Sequence, residues 1–538
     1  MSAREDAAVA AYSLQWPHHA GGALMSSYAI WGWGGAEREP TADNLLALAP
    51  LVADRLGFAV QEPELSAALP SFAAPRLQPP DALRQMCSDD NVDRARHGIG
   101  RSYSDLVRGL RGEVKDVPDL VVRPTSEQEV ADVLDWAASS DAAVIPFGGG
   151  TSVVGGVEPR GLDRVISLDL GALSGVIEVD RTSLAARVRA GTTGPALDSQ
   201  LAEHHLTARF YPQSFERSTV GGWVATRAAG HFSTGPVHID DLVESVRAIT
   251  PAGSWESRRL PGSGAGPSPD RMLLGSEGTL GVITETWLRV QPKPVHRWSS
   301  LWAGLDFLTT AEAVRTVVQA GWTPATCRVL DAREAALTGT LETGEAALVL
   351  GLESLGPPMP SAELEAALTD LGLRCVSAGA RSGDAWRGVF LEAPYLRESL
   401  ICLGVMVETF ETACLWSDLP RLHAAVTAAV ETALADICGG GVVTCRTTHA
   451  YRDGIAPYFT VLAPARRGSE LAQWAEVKAA ASDALLAAGG TITHHHAVGR
   501  DHRPWYDRQR PDLFAEALRA VKASVDPQGA MNPGVLLA

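Results

Sequence analysis

The sequence predicts an α+β fold divided into more than one domain. Three observations carry this. The chain has 538 residues, too many for one ordinary hydrophobic core. From about residue 114 onward, short apolar runs of strand length alternate with helical patterns. Three loops of glycine and hydroxyl residues, at 145–156, 212–230 and 275–285, are each followed by an apolar run.

Taken in order, the first hundred residues read as irregular, with a proline-rich patch at 69–83. WGWG at 31–34 reads as a packing anchor for an N-terminal arm spanning 1–113. DLVVRP (119–124) reads as a strand, and 125–140 as a helix. Ser126 is placed to cap that helix, and Glu129 completes a capping box. Val130, Val133, Leu134 and Ala137 form its apolar face. The next strand, 142–147, runs into the first glycine loop, which therefore sits in a turn after a β-α-β unit. Strands are expected at 164–170, 175–180 and 185–191, then a helix at 195–206. The region 295–480 carries long helical patterns such as 419–437 and reads as a separate domain. Residues 481–538 return to a strand-and-helix pattern.

Composition narrows the function classes. The formal charge of −17 argues against a nucleic-acid binder, while leaving room for a local basic pocket. The seven cysteines are odd in number and form no C-x-x-C pair, against a disulfide framework or a zinc ribbon. No apolar run reaches the roughly 18 residues of a membrane span. The first residues lack the basic-then-apolar pattern of a signal peptide, and the last are not a peroxisomal address. A cytoplasmic protein is expected, with peripheral membrane contact left open.

In PFGGGTSVVGG, small residues let backbone N–H groups approach an anion, and Thr151 and Ser152 add hydroxyl donors. The loop is not a Walker loop, since no lysine follows, and from Gly148 the dinucleotide spacing fails at Val153. Taken alone, a phosphate nest and a plain tight turn both remain. STVGGWVATRAAG and GSEGTLGVITE add two similar loops, and three together suggest one elongated ligand with a pyrophosphate centre.

These three segments resemble the flavin-binding segments of the vanillyl-alcohol-oxidase-type flavoproteins. The resemblance implies a two-subdomain FAD-binding domain (114–294), an α+β cap domain for substrate (295–480), and a C-terminal segment returning to the flavin (481–538). It implies noncovalent FAD contacted by Pro146, Phe147, Gly148, Gly149, Gly150, Thr151 and Ser152 of the first loop. From the second come Gln213, Ser214, Ser218, Thr219, Gly222, Thr226 and Arg227. From the third come Glu277, Gly278, Thr279, Gly281, Val282 and Ile283, with Arg328 added from the cap. FETACLW (410–416), Tyr458 after CRTTHAYRDG (445–454), and THHHAVG (493–499) are similar to one branch, the alkyl-dihydroxyacetone-phosphate synthases. That branch exchanges the acyl chain of acyl-dihydroxyacetone phosphate for a fatty alcohol, without net redox. Its flavin N5 holds the substrate carbon while the carboxylate leaves. The expected partners are thus a phosphorylated lipid-like substrate and a fatty alcohol, and a homodimer is expected.

The resemblance gives Tyr458 the role of base. A phenol needs a cationic or hydrogen-bonding neighbour for that, and a core tyrosine in the apolar strand YFTVLA is the other reading. His494, His495 and His496 are placed at the active site, as hydrogen-bond donors to an oxyanion or as ordinary half-buried histidines. In a strand, His494 and His496 would share a face. A metal site would need further ligands, none of which is near in sequence, and no metal is expected. Arg397 matches a phosphate clamp, and Arg328 a structural or flavin-proximal arginine, against surface arginines in each case. The chain departs from the family at Phe210, where a histidine is usual, and at Gln213, where some members have Asp. It also lacks the Tyr-Gly often found before the segment at 239–241. Phe210 is expected to make the pocket more apolar. It supports an alternative, a flavin oxidase or dehydrogenase of a 2-hydroxy acid or alcohol; a non-catalytic flavoprotein is the third reading.

Overall fold

The computed structural model describes residues 29–359, 361–379 and 384–537, leaving aside the side chains of 36 and 384–392. The first 28 residues of the expected N-terminal arm, including the stretch read for a signal peptide, lie outside it. The rest of the first hundred residues is not uniformly irregular. Helix α1 (Ala42–Leu56) starts at Thr41, whose hydroxyl accepts the Asn44 N–H, and ends at Gly57 in the left-handed region. Its buried residues Leu45, Val52 and Leu56 pack into the cap core together with Tyr103 and Leu106 of α2 (Tyr103–Arg111). Trp31 is the expected packing anchor. It lies against Ala95, Ile99, Val114 and Val117, and its ring comes so close to Gly109 that a Cβ there would sit 2.8 Å from it.

A four-stranded sheet follows, in the order β1-β2-β4-β3, formed by β1 (Cys87–Ser88), β2 (Leu120–Val122), β3 (Ala143–Phe147) and β4 (Val165–Asp169). Strands β2, β3 and β4 run parallel, which requires the crossover helix α3 (Glu127–Ser139). Ser126 and Glu129 form the capping box that the sequence predicts, and Val130, Val133, Leu134 and Ala137 are buried. A five-stranded antiparallel sheet has the order β5-β6-β10-β8-β9. It comprises β5 (Val176–Asp180), β6 (Ala185–Arg189), β8 (Val243–Thr250), β9 (Gly253–Glu256) and β10 (Val282–Arg289). Helix α4 (Gly194–Ala202) is shorter than the expected 195–206. His205 turns the chain at φ 60°, and Leu206–Thr207 (β7) pairs instead with Gln291–Pro292 (β11). The short helix α5 (Val220–Thr226) carries the second small-residue loop.

The cap region combines an eight-stranded sheet with the helices, as the expected α+β cap does. Its main path is β15-β12-β14-β13-β18-β19-β16, and β17 (Cys414–Leu415) also pairs with β19. The strands are β12 (His296–Gly304), β13 (Thr326–Leu330), β14 (Ala346–Ser354), β15 (Arg374–Gly379), β16 (Val405–Glu411), β18 (Val442–Ala450) and β19 (Gly454–Pro464). Helices α6 (Phe307–Gln319), α7 (Asp384–Cys402), α8 (Leu419–Ala433) and α9 (Glu470–Ala487) accompany it, α9 running across position 480. The expected strand content after 481 is absent among the described residues. Turns lead to α10 (Arg503–Gln509) and α11 (Asp512–Val525), and Met531 makes only an isolated bridge to Val144 of β3.

Candidate functional site

A cavity of about 1050 Å³ lies between the glycine loops, the cap sheet and α1. It matches the upper end of the ~300–1,000 Å³ common for ligand sites, enough for a long cofactor with room beside it. One wall is the first loop. There the backbone is pressed so closely on the second loop that a Cβ on Gly149 would lie 2.0 Å from the Arg217 carbonyl oxygen. Arg217 Nε in turn donates to the Gly149 carbonyl at 2.8 Å. Gly150 has φ 64°, which a side chain would resist. Thr219 caps α5 and accepts the Gly222 N–H at 3.3 Å. This helix start, with Ser218 and Gly222, opens onto the cavity, and its N–H groups and dipole suit a pyrophosphate. A Cβ on Gly222 would meet only the Thr219 hydroxyl, at 3.4 Å, so this part of the cradle is open. These residues fit FAD.

Most residues expected to contact the cofactor line the cavity: Pro146–Ser152, Gln213, Ser214, Ser218, Thr219, Gly222, Thr226, Glu277, Gly278, Gly281, Ile283 and Arg328. Three do not. Arg227 ends α5 at φ 52° and pairs with Asp240 at 2.7 Å. The Thr279 hydroxyl donates to the Ser276 carbonyl at 2.7 Å, and Val282 is buried in the core beside Leu168. Those three shape the loops from behind.

Tyr458 lies on β19 at 4% exposure and lines the cavity. Its cross-strand neighbours are Arg446 on β18 and Glu411 on β16. The Arg446 guanidinium stands 4.0 Å from the centre of the Tyr458 ring and pairs with Glu334 at 2.6 Å. Burial works against the Arg446 charge, but Glu334 and Tyr458 raise its pKa overall. The phenol thus has a cationic neighbour. Arg446 stands in the CRTTHAYRDG motif, but only strand register shows that it faces Tyr458.

The histidine run lies in a turn, so the shared face that a strand would give His494 and His496 does not arise. His495 and His496 line the cavity, and His494 turns away from it. The cause is Glu411, whose carboxylate is 1% exposed. It accepts the Thr493 hydroxyl at 2.7 Å and the backbone N–H groups of His494, His495 and His496 at 2.6, 3.1 and 2.9 Å. Burial alone would raise the Glu411 carboxyl; the three imidazoles and Thr493 bring it well below the usual carboxylate range. Burial pushes His494 and His495 down to about 3 and His496 to about 4, so the rings are neutral at pH 7. Just beyond, Glu277 accepts the N–H groups of Val498 and Gly499 at 2.9 and 2.8 Å. Two buried acidic side chains, Glu411 and Glu277, therefore hold the segment 493–499 from both ends, and burial pushes the Glu277 carboxyl up to about 7.

The fold supplies what the local sequence lacks for a cation. His449, His494 and His495, and likewise Glu411, His495 and His496, bring potential ligand atoms within 4.8 Å of one another. The Glu411 oxygens already have four hydrogen-bond donors, and His449 is bonded to Thr448 and the Gly230 carbonyl.

Arg397, on α7, and Arg328, on β13, are cavity residues and not surface arginines. Arg397 donates to the Arg101 carbonyl at 3.3 Å and to the Thr409 hydroxyl at 3.4 Å. Arg328 is 1% exposed, donates to the His231 carbonyl at 2.5 Å, and is pushed down to about 9, chiefly by burial. Phe210 corrects an expectation. It is packed 5.0 Å from Trp223 in the core and does not line the cavity, so it leaves the pocket's polarity unchanged.

Family comparison agrees with this geometry. An FAD binding domain model matches residues 118–257, and the C-terminal domain of FAD linked oxidases matches 293–536. The chain is 30% identical over 492 residues to an alkyldihydroxyacetonephosphate synthase of Dictyostelium discoideum, covering 85% of this chain and 79% of the relative. It is 28% identical to the Trypanosoma brucei brucei enzyme of that name, covering 86% and 82%. A solved alkyldihydroxyacetonephosphate synthase superposes with a TM-score of 0.79 at 25% identity, covering 94% of this chain and 98% of that one. With the flavin cradle, the Tyr458–Arg446 pair and the suspended histidine turn in one cavity, the chain belongs to the alkyldihydroxyacetonephosphate synthase family.

Proposed function

We propose that the protein is an FAD-dependent, redox-neutral transferase that exchanges the acyl chain of acyl-dihydroxyacetone phosphate for a fatty alcohol, giving an ether-lipid precursor. The observation that carries this reading is Tyr458, held under Arg446 and beside His495 and His496, in the same cavity as the flavin loops. FAD, held by the glycine loops and the start of α5, would supply a nucleophilic ring nitrogen to the exchange. Tyr458 takes the proton from the carbon beside the ketone, with the Arg446 charge over its ring. Arg397 and Arg328 offer planar guanidinium groups to the phosphate. His495 and His496, neutral, are placed to donate to or accept from oxygen at the reacting centre.

Leu48, Leu51 and Val52 of α1, with Leu400, Val407 and Leu462, give the cavity an apolar end suited to the two chains. Leu46 and Leu51 are each 56% exposed on α1, and we infer peripheral contact with a lipid surface from them. The seven free cysteines suit a reducing compartment, which supports a cytoplasmic location, and a homodimer is proposed on family resemblance.

The test is to incubate the flavin-loaded protein with acyl-dihydroxyacetone phosphate and labelled fatty alcohol, following lipid product and flavin spectrum together. Labelled ether without lasting flavin bleaching, lost in Tyr458→Phe at unchanged flavin content, is the expected result. Flavin bleaching by 2-hydroxy acids or alcohols with no ether product would refute it. The position of Phe210 in the core removes the observation that had favoured that oxidase reading.

A further inference from the structure

The exchange reaction leaves a proton behind. The alcohol gives up its hydroxyl proton, and at neutral pH the fatty acid departs as a carboxylate, so one proton per turnover must leave the cavity. During turnover the apolar end at α1 is filled by alkyl chains, which conduct no protons. A route through the protein would bypass those chains.

Behind the cavity wall stand two groups that the mechanism above does not use. His494 faces away from the cavity, and its Nδ1 meets Nδ1 of His495, a wall residue, at 3.0 Å. On its far side, His494 Nε2 meets the Tyr451 hydroxyl at 2.6 Å. Tyr451 is partly exposed and is followed by the exposed Arg452 and Asp453. His495, His494 and Tyr451 thus form an unbroken hydrogen-bonded series from the cavity wall to a residue at the edge of the surface. The series is held in place from outside itself. Glu411 fixes both histidine backbones, His238 Nε2 lies 3.2 Å from the His494 carbonyl, and Trp416 Nε1 donates to the Tyr451 carbonyl at 3.0 Å.

We propose that Tyr451 and His494 relay the product proton from His495 to solvent. His495 receives the alcohol proton on its Nε2 and releases the one on Nδ1 to His494 Nδ1. His494 releases its Nε2 proton to the Tyr451 oxygen, and the Tyr451 hydroxyl proton passes to water. One proton enters, one leaves, and no electrons are transferred. Each ring ends in its other tautomer and returns by reversing its bonds before the next cycle. Burial keeps both imidazoles neutral between turnovers and pushes the Tyr451 phenol up, so that its hydroxyl stays protonated and can donate. In this scheme His494 and Tyr451 act through His495 and do not touch substrate.

This rests on the transferase reading, and the experiment separates the two. Tyr451→Phe removes one hydroxyl and keeps the ring among Phe232, Val237 and Ala325. In the full-length, flavin-loaded enzyme, kcat per bound flavin should fall about 10-fold or more, less than the ~10²–10⁴ for a group at the reacting atoms. KM for both substrates should stay within about twofold, since neither touches Tyr451, while the solvent deuterium isotope effect on kcat rises as proton release becomes limiting. Wild-type kcat and isotope effect in the variant would overturn the relay alone. A loss of flavin or a raised KM with an unchanged isotope effect would assign Tyr451 a structural role and overturn it as well. Absence of ether product from the wild-type enzyme would overturn both the relay and the transferase reading.

Discussion

Replacing Glu411 by Gln keeps the shape of the side chain and removes one acceptor oxygen and the charge. Four donors converge on the wild-type carboxylate: Oε1 accepts the Thr493 hydroxyl and the His495 and His496 N–H groups, and Oε2 accepts the His494 N–H. The best amide orientation leaves its oxygen at Oε1 and turns its NH₂ against the His494 N–H. One buried donor is then orphaned, about 1–3 kcal/mol, and three bonds fall from charged to neutral strength, about 1 kcal/mol each. The sum, about 4–6 kcal/mol, corresponds to roughly three to four powers of ten in the opening equilibrium of the turn. Hydrogen exchange read by mass spectrometry on peptides covering 493–499 measures this directly, with α3 as an internal reference expected to be unchanged. Exchange of the three histidine amides within tenfold of wild type would show that Glu411 does not hold the turn. The pH dependence has a definite sign. The Glu411 carboxyl is lowered on folding, so its contribution is present above the unfolded value near 4.5 and is lost as pH falls below it.

The remaining predictions concern stability and cofactor loading. Burial holds His494, His495 and His502 near 3 and His496 near 4, while unfolded imidazoles titrate near 6.5. The unfolded chain therefore binds more protons as pH drops from about 6.5, and stability falls over that window by up to about 2 kcal/mol per histidine at pH 5. Melting at pH 7 and 5 should show the fall, and His502→Gln should diminish it; an equal fall in the variant would count against the assignment. Gly149→Ala forces a Cβ to 2.0 Å from the Arg217 carbonyl and should abolish yellow, soluble protein. Gly222→Ala meets nothing nearer than 3.4 Å in the protein itself. It should leave the apoprotein fold intact by circular dichroism while weakening FAD binding, and unchanged FAD affinity would place the cofactor elsewhere.

Local signals in the sequence were enough for α3, its capping box, β3 and the glycine loop that follows, because caps, period and turn residues act within a few positions. Helix α1 is hard to read locally, since Pro50 and a proline-rich neighbourhood disguise it and its apolar face is covered by the cap, far away in sequence. The three flavin loops were legible as a set, yet Arg227, Thr279 and Val282 could not be told from their cavity-facing neighbours without side-chain directions. Most of the chemistry was legible as residue types and not as geometry. Arg446 faces Tyr458 only through the β18–β19 register, and Glu411 shapes the histidine turn from β16. The turn at 493–499 is illegible in the sequence because the partners of its N–H groups are acidic side chains from distant segments, which no local periodicity reveals.

The glycine loop and the segment that closes over it are separated by the entire cap. Asn532 donates to the carbonyls of Gly156 and Glu277, Met531 bridges to Val144, and Val535, Leu536 and Leu537 are buried. A ribosome that has just made β10 still has about 240 residues to add before these contacts exist. At about 5–20 residues per second this is a wait of roughly 10–50 s. Throughout it the nucleotide cradle lacks one side, so capture of the cofactor is a late event in the life of each chain, following synthesis of the cap rather than preceding it. Chains cut short before Met531 would thus be pale and short-lived.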